Sequence, residues 1–327
     1  MALFVPNCGC LHACSFCNQR AITGKLTQPE PEDVRCAAET ALRTLGPSAA
    51  EAEIAFFGGS FTAIERAYMV SLLGAAQPYL GHGGFRGIRI STRPDAISPE
   101  ILAILRRYGV TTVELGAQSM DDRVLAANGR GHTAAQVRKA SGLIRSGGFS
   151  LGLQMMTGLL GDTDDGARQT AEGLAALRPD CVRIYPTIVL RGTALGEAYL
   201  RGEYRPQTLE GAVALCAGLL DFFERRGVAV IRLGLHASPE LERDRLAGPW
   251  HPAFRELCES RRFLEKVTAV LHAQNVPQGP VSIAVNPVCI SQATGQKKRN
   301  LRELGGLGYA VHMVPDASLR RGEFQIV

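Results

Sequence analysis

A chain of 327 residues, 46% hydrophobic and 20% charged, has room for one large domain or for one medium domain with an appendage, and its even composition excludes a disordered or low-complexity protein. Its formal charge of +5 permits an anionic partner without demanding one. The start, MALFVPNCGC, lacks the regions of a signal peptide, and the charge-free stretches are broken by Gly, Pro, His or Gln, which argues against a membrane span.

The first predicted strand, ALFVP (2–6), runs into GCLHACSFCNQ (9–19), where Cys10, Cys14 and Cys17 read C-x3-C-x2-C and Cys8 lies just ahead. The other five cysteines (Cys36, Cys181, Cys216, Cys258, Cys289) are scattered singly, like small core hydrophobes, and form no disulfide framework. A reducing cytosol is therefore the expected location, and clustered thiols there mean metal or redox chemistry. Thiolates select zinc, copper(I) or iron–sulfur clusters. A structural zinc wants four closed ligands, for which Cys8 or His12 is available. A cubane cluster can be held by three cysteines with one iron left open to an external ligand. The spacing favours iron–sulfur and leaves zinc open.

Further strands are expected at EIAFF (53–57), GIRIS (87–91), TTVEL (111–115), SLGLQ (150–154) and CVRIY (181–185), with a possible seventh at VAVIRL (228–233). Helical patterns separate them. In SPEILAILRRYG, Ser98 caps, Pro99 suits the first turn and Gly109 follows the last. TAAQVRKASGLIRSGG repeats the plan from Thr133 to the glycines at 147–148. Regular βα alternation implies parallel strands in a doubly wound sheet or a barrel. The unusual residues follow the strands: the cysteines, then FGGSFT (57–62), STRPD (91–95), ELGAQS (114–119), QMMTGLLG (154–161) and YPTIVLRGT (185–193). A β/α barrel builds its active site from the loops at those strand ends.

C-x3-C-x2-C after a first strand, Phe16 just before the third cysteine and a GGS turn after the second strand resemble a radical S-adenosylmethionine (SAM) enzyme. FFGGSFT, STRPD, VELGAQS, GRGHT, GLQMMTGLLG and RIYPTIVLRGTAL, in that order from residue 8 to about 195, are similar to the radical domain of the catalytic subunit of Elongator and its shorter bacterial relatives. The resemblance implies a partial (β/α)6 TIM-type barrel and a [4Fe–4S] cluster on Cys10, Cys14 and Cys17. It implies SAM chelating the fourth iron, and one-electron cleavage to methionine and a 5′-deoxyadenosyl radical. An electron donor such as flavodoxin or ferredoxin is implied as well. Gly58, Gly59 and Ser60 would receive the methionine amine, Gln118 and Gln154 the ribose, and Arg130 the carboxylate. Phe16 and Ser91 fall within the same cofactor site, Ser91 standing where many relatives carry glutamate. Tyr185 and Arg191 are the candidate catalytic residues on the substrate side, with Arg183, Arg232 and His236 as further candidates to face it.

With no second cysteine cluster past residue 195, methylthio transfer is not expected, and with Val327 as the last residue, acetyl-CoA-dependent carboxymethylation of tRNA by this chain alone is not expected either. The expected organisation is a barrel over 1–236, a helical connector over 237–280 and a small α+β element over 281–327. That last element (VSIAVNP, VCISQAT, GQKK, RNLRELGG, YAVHMV) reads β-α-turn-α-β and resembles the core of a KH domain, with Lys298 at the fourth loop position where that fold has glycine. The expected function is radical modification of an RNA nucleobase, in tRNA or rRNA. The same chemistry on a small metabolite or porphyrin, or a catalytically silent cluster protein that binds RNA or assists assembly, are the alternatives.

Overall fold

The computed structural model describes residues 1–6, 10, 14–18 and 27–327; Cys8 and His12 lie outside the described residues. Seven strands form one parallel sheet. They are β1 (Ala2–Val5), β2 (Glu53–Gly58), β3 (Gly87–Thr92), β4 (Val110–Gln118), β5 (Ser150–Thr157), β6 (Cys181–Pro186) and, after the short β7 (Val189–Leu190), β8 (Ala229–Leu233). Their order in space is their order in the chain, with β1 and β8 as the two edges, so the sheet is an open, partial barrel. The possible seventh strand is present, and β4 continues beyond the expected 111–115.

The helices form where the sequence caps them. Ser98 accepts from the Ile101 amide to start Pro99–Arg107, and Thr133 and Gln136 make a capping box at the start of Ala134–Ser146. Their apolar faces close on one core with the outer faces of the strands, where Ile54, Phe56, Ile88, Ile90, Val113 and Leu115 are fully buried.

Alternate strand residues face the concave side, and here that side is charged. The carboxylate of Glu53 accepts from Arg89 Nε at 2.7 Å, Thr112 Oγ1 at 2.6 Å and Thr111 Oγ1 at 2.9 Å. Arg89 Nη1 reaches Glu114 at 2.5 Å, and Arg183 Nη2 donates to Glu114 at 3.0 Å. Arg89 also lies 3.6 Å from Cys181 Sγ on β6, three strands away, which only the concave face allows. Gly152 makes room for the ladder, because a Cβ there would lie 2.6 Å from Glu114 Cγ. Although burial works to raise it, Thr112 and Arg89 hold the Glu53 carboxyl below its ordinary range.

Helix Pro239–Asp244, strand β9 (Arg245–Ala247) and helix Phe254–Ala273 follow. Strand β9 pairs antiparallel with β7, a contact the sequence reading does not contain. The long helix serves two cores. Phe254 and Cys258 belong to the barrel core, whereas Phe263, Leu264, Val267 and Leu271 pack on a second one. That second core lies under a three-stranded sheet in which β10 (Gly279–Val285) runs parallel to β11 (Tyr309–Pro315) and antiparallel to β12 (Phe324–Ile326). Between β10 and β11 lie helices Ile290–Thr294 and Arg299–Gly306, the expected β-α-turn-α-β order, with β12 as an addition. No helix among the described residues is long and apolar enough to cross a membrane.

Candidate active site at the strand ends

The GGS turn closes the end of β2 against β1. Gly58 has φ +112°, and a Cβ there would sit 2.9 Å from the Val5 carbonyl oxygen, so only glycine fits. The Gly59 amide donates to the same oxygen at 2.8 Å. Ser60 is buried, and its Oγ lies 3.7 Å from Cys10 Sγ. The first predicted thiol and the predicted amine-binding turn are therefore together.

A second group gathers around Cys14. Arg130 Nη1 donates to Cys14 Sγ at 3.2 Å, and Nη2 donates to the Gly116 carbonyl at 2.7 Å. Strand β4 bulges between Gly116 and Gln118, and Gln118 takes the left-handed region with φ +68°. This strained position turns the buried Gln118 side chain toward Gln154, whose Nε2 donates to Gln118 Oε1 at 3.2 Å. Arg130 Nε is buried and has no hydrogen-bond partner among the described residues. His132, bonded to the Ala117 carbonyl at 3.1 Å, is held down at about 4 by burial and then by the charge of Arg130, so it stays neutral.

The cysteine loop is anchored through Ser15. Its amide and hydroxyl donate to Asn128 O at 3.0 Å and Asn128 Oδ1 at 2.9 Å, and its carbonyl accepts from the Leu195 amide at 2.7 Å. Asn128 is fully buried, and its Nδ2 donates to the carbonyls of Val124 and Leu160. Phe16 packs against the cluster of Val124, Met156 and Leu159, which Tyr185 also covers. Cys17 donates its amide to the Cys14 carbonyl at 3.0 Å. Cys10 and Cys17 are exposed and Cys14 is half-buried. Among the described residues no three His, Cys, Asp or Glu side chains converge on one point.

The remaining predicted residues are less closely gathered. Ser91 is half-buried, opposite Glu114 in register. Arg183 lies in register with Gln154, its guanidinium 4.7 Å from the centre of the Phe57 ring. Against the effect of burial, Glu114 and then Tyr185 hold its pKa above the ordinary range. The charged ladder thus forms the floor beneath the strand-end residues. Arg232 Nε donates to the Gly234 carbonyl, and burial, then Arg232, lowers His236 below its ordinary range. Arg191 is exposed, and it is its backbone that is engaged, with Asp244 and with the Asn18 side chain.

The sequence reading assigns nothing to Ser15, Asn128, Glu53, Arg89 or Glu114. Glu114 carried a readable signal, since a carboxylate inside an apolar strand must have a buried partner. Ser15 and Asn128 carried none.

The residues fit an iron–sulfur cluster with SAM by their chemistry: three cysteines of one loop, the first of them beside the glycine turn, and a guanidinium on the second with a further buried donor unused. The chain matches the Radical SAM superfamily over residues 4–174 and the Radical_SAM C-terminal domain over 179–265. It is similar to an uncharacterised protein of Methanocaldococcus jannaschii, 29% identical over 197 residues, covering 59% of this chain and 58% of that protein. It is also similar to the tRNA uridine(34) acetyltransferase of the same organism, 33% identical over 129 residues, covering 38% of this chain and 24% of that one. The match therefore spans less than two thirds of the one relative and about a quarter of the other. Among solved structures, archaeal Elp3 from Methanocaldococcus infernus superposes with a TM-score of 0.61 at 21% identity, covering 76% of this chain and 65% of that one.

Proposed function

Because the chain belongs to the Radical SAM superfamily, we propose that its radical chemistry modifies an RNA nucleobase. Members of the family use a [4Fe–4S] cluster and SAM, which together supply a 5′-deoxyadenosyl radical able to abstract hydrogen. In this reading Cys10, Cys14 and Cys17 hold the cluster. Gly58, Gly59 and Ser60 receive the amine, Arg130 the carboxylate, and Gln118 and Gln154 the ribose. Phe16, packed beside Tyr185, shields the site from water, and Ser91 lines its wall. Tyr185 and Arg191 face the substrate, Tyr185 over the charged floor and Arg191 from the exposed rim.

The observation that carries the RNA half is the similarity to a relative named for tRNA uridine 34. The C-terminal element, assigned here to residues 281–327 behind a connector over 237–280, adds to it. Lys297 and Lys298, at φ +52° and +61°, and Arg299 present exposed cations on the turn before helix Arg299–Gly306. The test is mass spectrometry of total-RNA nucleosides from a deletion strain, paired with an assay for 5′-deoxyadenosine. A lost modified nucleoside supports the proposal. Deoxyadenosine formation with an unchanged nucleoside profile would redirect it to a small metabolite, and no deoxyadenosine at all would leave a silent cluster protein.

A further inference from the structure

The contact between Arg130 and Cys14 is built from both sides. On the arginine side, Nη2 is fixed on the Gly116 carbonyl at 2.7 Å, and the Arg130 amide donates to Leu125 O at 2.9 Å just after Gly129 turns at φ +64°. On the cysteine side, the neighbour Ser15 has its amide, hydroxyl and carbonyl all engaged, two of them with Asn128, two residues before Arg130. A long side chain on a mobile loop would meet a sulfur by chance. Here the Asn128–Arg130 segment grips the cysteine loop with one residue and touches the sulfur with another.

We propose that Arg130 sets the reduction potential of the cluster through its N–H···S contact with Cys14, and that Asn128 positions the pair. The proposal rests on the family reading of the three cysteines. Reduction delivers one electron from an external low-potential donor to the cluster; no bond to the protein forms or breaks, and the guanidinium keeps its proton. Added negative charge on the cluster and its thiolates is stabilised by a fixed cation and by hydrogen bonds to sulfur, which are levers on such potentials. Arg130 therefore favours the reduced form and raises the potential. Arg130 is a positioning and tuning residue in this role, distinct from its assignment to the SAM carboxylate.

The test is potentiometry followed by electron paramagnetic resonance on the full chain, reconstituted anaerobically and kept free of SAM, so that carboxylate binding cannot contribute. Iron is counted first. Arg130→Gln, which removes the charge, is expected to lower the reduced-to-oxidised ratio about tenfold at a fixed potential, a midpoint about 59 mV lower. Arg130→Lys keeps the charge but cannot hold both Cys14 and Gly116, so its midpoint falls by less. A loaded Arg130→Gln protein with the parent's midpoint would overturn the proposal and leave the family reading standing. If Arg130→Gln takes up no iron, Arg130→Lys decides in the same way: a midpoint equal to the parent's overturns the proposal. A parent protein that takes up no iron would sink the family reading itself, an outcome the iron count separates from the other.

Discussion

Glu114 is the keystone of the charged ladder, and replacing it by Gln tests whether the ladder holds the barrel together. Its side chain is 4% exposed, with Arg89 at 2.5 Å and Arg183 on its other side. The two arginines are not equally dependent on it. Arg89 keeps Glu53 at 2.7 Å. Among the described residues Arg183 keeps the Phe57 ring and Tyr185, neither of which carries a full negative charge. Removing one member of a buried pair costs roughly 3–5 kcal/mol, because the other charge is left uncompensated. With one arginine rescued, the lower end applies, about 3 kcal/mol. For a chain of this length that corresponds to a midpoint lower by about 4–5 °C in a thermal melt. Adding Arg183→Met removes the stranded charge, so the double variant should recover much of the loss. The cycle should then give a coupling energy of about 1–2 kcal/mol or more. A loss under about 1 kcal/mol for Glu114→Gln, with additive effects in the double variant, would refute the reasoning and leave the ladder a solvated lining.

Replacing Cys10, Cys14 or Cys17 by Ala is expected to abolish iron binding and deoxyadenosine formation, and Cys8→Ala to leave iron content unchanged; iron retained in a Cys10 variant and lost with Cys8 would show the wrong trio. Gly59→Val is expected to block SAM binding with iron content intact, measured by equilibrium dialysis, and unaltered binding would free the turn from that role. Between about pH 4 and 6 the buried His132 and the half-buried Asp162 oppose each other. His132, lowered to about 4, makes stability rise with pH from about 4 to its unfolded value near 6.5, while Asp162, raised by burial to about 6, makes it fall from its unfolded value near 3.8 up to about 6. His132→Gln should therefore make stability rise less with pH through this window than it does in the parent, and a pH dependence equal to the parent's would refute the assignment. Lys297, Lys298 and Arg299 changed together to Glu should weaken RNA binding steeply and flatten its dependence on salt, and binding equal to the parent's at every salt concentration would make the C-terminal element a cap.

What was legible in the sequence follows from how local each feature is. The strands through β6 announce themselves because the outer face of each must be apolar, and Ser98 and Thr133 mark their helices because a cap acts within three residues. Strand β4 reads as ending near Leu115, since a glycine and a glutamine follow; the backbone instead bulges there and continues to Gln118. The β7–β9 pair and β12 have two or three residues each, too few to show a period. The same distinction runs through the site. Residue types on short motifs could be nominated from the chain alone, but the contacts that bind those motifs together span it: Ser15 to Asn128, Cys14 to Arg130, Arg183 to Glu114. The first two join the cysteine loop to the segment after helix Asp122–Ala127, the third joins β6 to β4, and the curl of the sheet brings them within reach. The cysteine loop illustrates the consequence. Within residues 14–18 one turn bond runs from the Cys17 amide to the Cys14 carbonyl, and Ser15 is held by Asn128 and Leu195, supplied by the end of helix Asp122–Ala127 and by the helix after β7. A site whose thiols are local but whose scaffold is remote can be recognised from its sequence, whereas the geometry that tunes it has to be seen folded.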